Sequence, residues 1–211
     1  MDQADNGLCP AEPLNAAVEQ LRTDDDGGLA VLAKLLLSWP LDPRLHFLQG
    51  SVLAGLQRYD EGRRAMARAV EIAPDFALAR FQLGFLDLTS GRALDAVGVW
   101  GPLSNLSEDE PLRILAEGLT NLAIDNFSEA RRLLQNGMAL NTENPLINAD
   151  MQLILDEIEG MADKPAAASQ SGGSGDSPPP LPGEGDESTP ANAVDLLLRQ
   201  SQLKGGGSTR H

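Results

Sequence analysis

The sequence predicts an all-α repeat protein, a solenoid of about four helix pairs closed by one further helix. Three observations predict it. Small residues recur at a step of 34: Gly50, Gly84 and Gly118, then Gly62, Ala96 and Ala130. Two further series, Tyr59, Ala93, Phe127 and Met66, Trp100, Leu134, keep the same step. Pro43, Pro111 and Pro145 fall at multiples of it. A period of this length marks a stack of helix–turn–helix units.

Packing explains why such residues must recur. Where two helices cross closely, the first helix of a pair needs a small residue, and the glycine series supplies it. The second helix needs another, which Gly62, Ala96 and Ala130 supply. The bulky series lies four residues later, one turn along the same face. Small against large at matched height is what ridges packing into grooves require. One pair cannot bury its own apolar face, so several must stack.

On these residues the chain resembles the tetratricopeptide repeat family. The first clear unit, LHFLQGSVLAGLQRYDEGRRAMARAVEIAPDFA, carries Gly50, Tyr59, Gly62, Met66, Ala69 and Pro74 at the family's positions. The next carries Leu83, Gly84, Gly91, Ala96 and Trp100, and the third Gly118, Phe127, Ala130 and Leu134. The chain departs from the family pattern at Gln49 and Glu117, where leucine is usual, and at Glu108 and Thr142, where the closing proline is missing. Pro102 falls inside a second helix and removes a backbone donor, so that helix is expected to kink or end near Gly101.

In chain order, residues 1–10 read as a disordered tail. The repeat domain spans 11–162, with units at 11–42, 43–76, 77–110 and 111–144 and a capping helix at 145–161. The first unit is degenerate: Ala16, Gly28, Leu32 and Pro40 keep its register, with helices expected at Leu14–Leu21 and Leu29–Ser38. The run Asp24-Asp25-Asp26-Gly27-Gly28 lacks the alternating ligands and closing Glu of a calcium loop, so it reads as an exposed turn and helix cap. Asp42 before Pro43 and Asn144 before Pro145 are helix starts, and Ser107 with Glu110 fits a capping box. The capping helix carries an apolar stripe of Leu146, Ile147, Met151, Ile154 and Ile158.

Residues 163–189 are rich in Gly, Ser, Pro and acids, the composition of a disordered linker. PPPLP within it reads as linker before polyproline ligand. Residues 190–204 regain pattern. Thr189 and Pro190 can open a helix, Gly205 can close it, and Val194, Leu196, Leu197, Leu198 and Leu203 give it an apolar face. Residues 205–211 form a tail.

The net charge is −15. So acidic a surface repels phosphate backbones and anionic lipid, which argues against nucleic-acid and membrane-surface partners. No apolar run approaches the roughly 20 residues of a membrane span. The single cysteine, Cys9, permits no intrachain disulfide. The start, MDQADNGLCP, lacks the basic and apolar regions of a secretory signal, and the reading is cytoplasmic.

Chemistry is not evident. His46 sits within a first helix and His211 ends the chain, while Cys9 falls in the expected tail. No phosphate loop or metal-ligand spacing is present. The expectation is a non-catalytic protein without cofactor or metal. The family resemblance implies a concave groove lined by first helices. Its inward positions would be Phe47 and Ala54, then Leu78, Phe81, Phe85 and Leu88, then Leu112, Leu115, Leu119 and Leu122; the alternative for several of them, Leu115, Leu122, Phe81 and Phe85 among them, is core between repeats. Relatives that clamp a terminal carboxylate use Lys and Asn there. Here Arg44, Arg80 and Asn121 are the nearest polar residues and do not form that set. The expected function is an adaptor or chaperone-like module that binds a protein or peptide segment. Two alternatives stand beside it. In one, the C-terminal motif is the ligand and the repeats serve localisation or oligomerisation. In the other, the chain is a regulatory subunit of a separate enzyme. The motif could also dock in the groove of its own chain or of a second copy.

Overall fold

The computed structural model describes residues 7–162, with side chains to Gly160. The expected linker at 163–189, the motif with Val194, Leu196, Leu197, Leu198 and Leu203, and the tail at 205–211 lie outside the described residues, as do residues 1–6.

Among the described residues every regular element is helical. The helices pair in order. The first pair is α1 (Ala11–Leu21) with α2 (Asp25–Ser38), the second α3 (Pro43–Gly55) with α4 (Tyr59–Ile72). Then come α5 (Ala77–Thr89) with α6 (Ala93–Trp100), and α7 (Pro111–Ala123) with α8 (Phe127–Leu140). A last helix, α9 (Pro145–Ala162), closes the stack. This is an all-α solenoid of tetratricopeptide type.

The glycine series does what packing asks of it. A methyl group on Gly50 would lie 2.6 Å from Met66 Cγ, and one on Gly118 would lie 2.9 Å from Leu134 Cδ2. On Gly84 it would strike the indole of Trp100. That indole is itself fixed, because Nε1–H donates to the Phe81 carbonyl at 3.0 Å. Gly62 meets the Gly50 carbonyl oxygen from the other side, at 2.9 Å for an added carbon.

The three later pairs also share one turn. Gln57, Gly91 and Asp125, again spaced by 34, all have positive φ (62°, 79° and 60°). The next residue's N–H then reaches back five positions: Arg58 to Leu53, Arg92 to Asp87 and Asn126 to Asn121, at 2.8–2.9 Å. This left-handed closure satisfies carbonyls that a helix end leaves open. Glycine adopts it freely, whereas Gln57 and Asp125 adopt it under strain.

Helix ends follow local chemistry. Asp24 Oδ1 accepts from Gly27 N–H at 3.0 Å and starts α2 four residues before Leu29. Asp42 caps α3 by accepting from Arg44 N–H at 2.9 Å. α6 ends at Trp100 and passes into a 3-10 segment, Gly101–Asn105, because Pro102 cannot continue the ladder. The expected capping box at Ser107 and Glu110 does not form. Glu110 occupies the cap position without a side-chain bond, and Ser107 Oγ donates to the Asp109 carboxylate beside it. Asn141 pins the turn into α9: its Oδ1 accepts from Asn144 N–H at 3.2 Å and its Nδ2 donates to the Asn144 carbonyl at 2.9 Å.

Two predictions follow from the crossing and the turn. Gly84→Leu drives bulk into the Trp100 contact and should cost about 1–3 kcal/mol, read as a lower melting temperature. Gln57→Gly removes the left-handed strain and should raise stability by up to about 1 kcal/mol in denaturant titration.

Candidate functional site

The first helices supply the surface a partner would meet, and the structure divides the expected groove residues in two. Phe81, Leu88, Leu112, Leu115, Leu119 and Leu122 are buried, none more than 7% exposed. They belong to one continuous core with Trp100, Leu103, Leu134 and the stripe Ile147, Met151, Ile154, Leu155 and Ile158 of α9. Their assignment to an open groove is corrected: these side chains join one unit to the next. Leu146, counted in the same α9 stripe, is 81% exposed and takes no part in that core.

Phe47, Leu78 and Phe85 remain half-buried. Phe47 meets Phe76 with ring centres 5.2 Å apart. Phe85 lies parallel to Phe81 at 6.4 Å. Ala54, also expected inward, is half-buried and packs with Met66 and Leu83. The polar candidates are engaged within the chain. Arg80 donates to the carbonyls of Val99 and Pro74 at 3.2 and 2.8 Å. Asn121 donates to the Glu117 carbonyl and accepts from Asn126 Nδ2, each at 2.9 Å.

Arg44 belongs to a cluster around the buried Asp42 carboxylate, whose link to Cys9 no sequence pattern encodes. Asp42 is fully buried. Its Oδ2 accepts from Cys9 N–H at 2.8 Å and from Arg44 Nη2 at 2.7 Å. Arg44 Nη2 also donates to the Cys9 carbonyl at 2.7 Å. Cys9 is therefore packed with Ala17 and Leu32 of the first pair and Leu45 of the second, and the expectation that it lies in a free tail is corrected. Burial, then the facing Asp42 carboxylate, pushes its thiol above the ordinary cysteine value, so it is a poor nucleophile. Burial also pushes the Asp42 carboxyl up. The hydrogen bonds from the Arg44 side chain and from the Cys9 and Arg44 backbone outweigh that and hold it below the usual carboxylate range. His46 Nε2 lies 2.9 Å from the Pro40 carbonyl oxygen. Among the described residues no group of three or more His, Cys, Asp or Glu is placed to hold a metal ion. Nor is any helix there long and apolar enough to cross a membrane.

One cleft opens between the third and fourth pairs. It measures about 160 Å³ and is walled by Val97, Trp100, Leu103 and Ala116, with Gly101, Ser104, Arg113, Glu117 and Thr120 around it. The lining is mostly apolar. The sequence signals for it were Pro102 and Glu117, both departures from the repeat.

The fold and these surfaces define a stack of tetratricopeptide-like helix pairs. Among solved structures, the chain is similar to MamA, residues 41 to the end, from Desulfovibrio magneticus RS-1, with a TM-score of 0.53 at 16% identity. The match covers 77% of this chain and 100% of that one. The MamA RS-1 ArsTM double mutant is similar too, with a TM-score of 0.53 at 15% identity over 77% of this chain and 99% of that one. At such identity the likeness is one of fold. No protein-family model matches the sequence, and no curated protein matches it.

The Asp42 cluster yields a prediction with a sign. A carboxyl whose folded pKa is depressed stabilises the fold above its unfolded value, about 3.9, and that contribution is lost as pH falls through the folded value. Asp42→Ala should cost about 1–3 kcal/mol at neutral pH. The gap between variant and wild type should narrow as urea titrations are taken below about pH 4.

Proposed function

We propose that the chain is a non-catalytic protein-interaction module, a divergent member of the tetratricopeptide family with one domain over 11–162. Its first-helix face holds an amphipathic or extended apolar segment of a partner protein, in the manner of an adaptor or chaperone-like protein of the cytoplasm. The observation that carries this is the incomplete covering of Phe47, Leu78 and Phe85. These large apolar side chains stand on the first helices of two successive pairs, while the other large side chains of the expected stripe are sealed in core. Apolar anchors on a rigid helical scaffold, ringed by polar residues, suit helix-in-groove recognition. The fold likeness supports the scaffold and leaves the partner open.

The test separates anchor from core. The purified chain serves as bait, and the affinity of any captured partner is measured for wild type and variants. Leu78→Glu with Phe85→Glu should weaken it by at least about tenfold, the effect of losing roughly 1.4 kcal/mol, with the circular dichroism spectrum unchanged. Phe81→Glu should instead unfold the stack, since its ring is 1% exposed. Undiminished affinity in the first variant removes the first-helix face from consideration.

A further inference from the structure

At the joint between the third and fourth pairs two residues depart from the repeat beside the shared core. Pro102 ends α6 after 8 residues, where α4 and α8 run for 14. Glu117 stands where the repeat pattern puts leucine, and its carboxylate accepts from Arg113 Nε at 3.0 Å. A leucine there would have packed across the joint. The 160 Å³ cleft is what remains, with Trp100 and Leu103 buried in its wall and Gly101 and Ser104 exposed at its mouth. A cavity of about 150 Å³ lined by apolar side chains holds one benzene-sized group. The cleft therefore suits a single large aliphatic side chain.

We propose that the occupant is the C-terminal segment of this same chain, ANAVDLLLRQSQL at 191–203, inserting Leu197 or Leu198. The groove first expected to receive it is largely core, whereas the cleft is an apolar opening among the described residues. Charge favours this segment. Residues 190–211 carry Arg199, Lys204 and Arg210 against the single acid Asp195, in a chain whose net charge is −15. The run Glu108-Asp109-Glu110 joins the 3-10 segment, three of whose residues line the cleft, to α7, while the charged residues of the cleft itself, Arg113 and Glu117, pair with each other at 3.0 Å. Length favours it too. α9 ends at Ala162, and residues 163–189 have the composition of a flexible chain with a root-mean-square span of about 30 Å. Packed helices lie about 8–10 Å apart, so the cleft is within about 30 Å of α9. Tethering supplies an effective concentration on the order of millimolar, and an intrinsic affinity of that order fills the cleft half the time. This surface is separate from the Phe47, Leu78 and Phe85 face, so either reading can fail without the other.

The test is disulfide trapping in the full-length chain. Cys9→Ala clears the native thiol while leaving the backbone bonds of residue 9 in place. Ser104→Cys with Gln200→Cys reports docking. Ser128→Cys with Gln200→Cys reports random encounter, since Ser128 is exposed on α8. In dilute solution the first pair should close within one chain many-fold more than the second. Adding Leu197→Asp with Leu198→Asp should bring it down to the control. So should Gly101→Leu, which sets a bulky side chain at the cleft's mouth. A side chain is tolerated there, because an added carbon meets nothing within 4 Å and φ is −42°. Circular dichroism checks that both variants keep their helicity. Equal closure of the two pairs overturns the proposal, as does cross-linking only between chains or closure indifferent to the leucines.

Discussion

Everything in this stack depends on how closely the two helices of a pair approach. Gly50, Gly84 and Gly118 let the second helix lay Met66, Trp100 or Leu134 against bare backbone. That contact sets the distance between helices, and the distance sets the turn. In the three later pairs a residue with positive φ brings the chain round, at Gln57, Gly91 and Asp125. Two of the three are not glycine, so the packing of each pair overrides a local backbone preference that a free peptide would obey.

This constraint is why the fold was legible. A close crossing admits few residue types, so its period survives in the sequence even where the rest of a unit has drifted. Capping by Asp24 and Asp42, and the break at Pro102, were legible for the same reason: each is decided within one turn of the chain. The expected groove was less so. Leu112, Leu115, Leu119 and Leu122 form an apolar stripe whether they face solvent, a partner or the next unit, and periodicity cannot distinguish these. The structure shows that the neighbour is the core shared with Trp100 and α9. Cys9 was illegible altogether. Its partner Asp42 lies 33 residues away and holds its backbone, which no side-chain pattern encodes.

The joints between pairs differ more than the pairs do. Leu53, Asp87 and Asn121 occupy one repeat position with three different chemistries. Leu53 is apolar core. Asn121 is tied locally, accepting from Asn126 within its own turn. Asp87, fully buried, accepts from Arg92 of its own turn at 2.9 Å and from Arg63 of the preceding pair at 2.6 Å. A buried charge held this way adds little net stability, because desolvation consumes most of the attraction. What it adds is register. An apolar contact tolerates sliding by a fraction of a turn, whereas a carboxylate stripped of its arginine would stand alone in low dielectric.

The joint between the second and third pairs is therefore locked by ions, and the next carries a cleft beside Pro102 and Glu117. Both features sit where the sequence departs from its own repeat. A perfectly regular solenoid would present equivalent joints throughout, with nothing to direct a ligand to one of them. Here a clamped joint fixes the half of the stack that carries Phe47, Leu78 and Phe85. The joint beside it holds an apolar cleft bordered by the Arg113–Glu117 ion pair. The repeated residues build the scaffold, and the exceptions to the repeat give its surface distinct addresses.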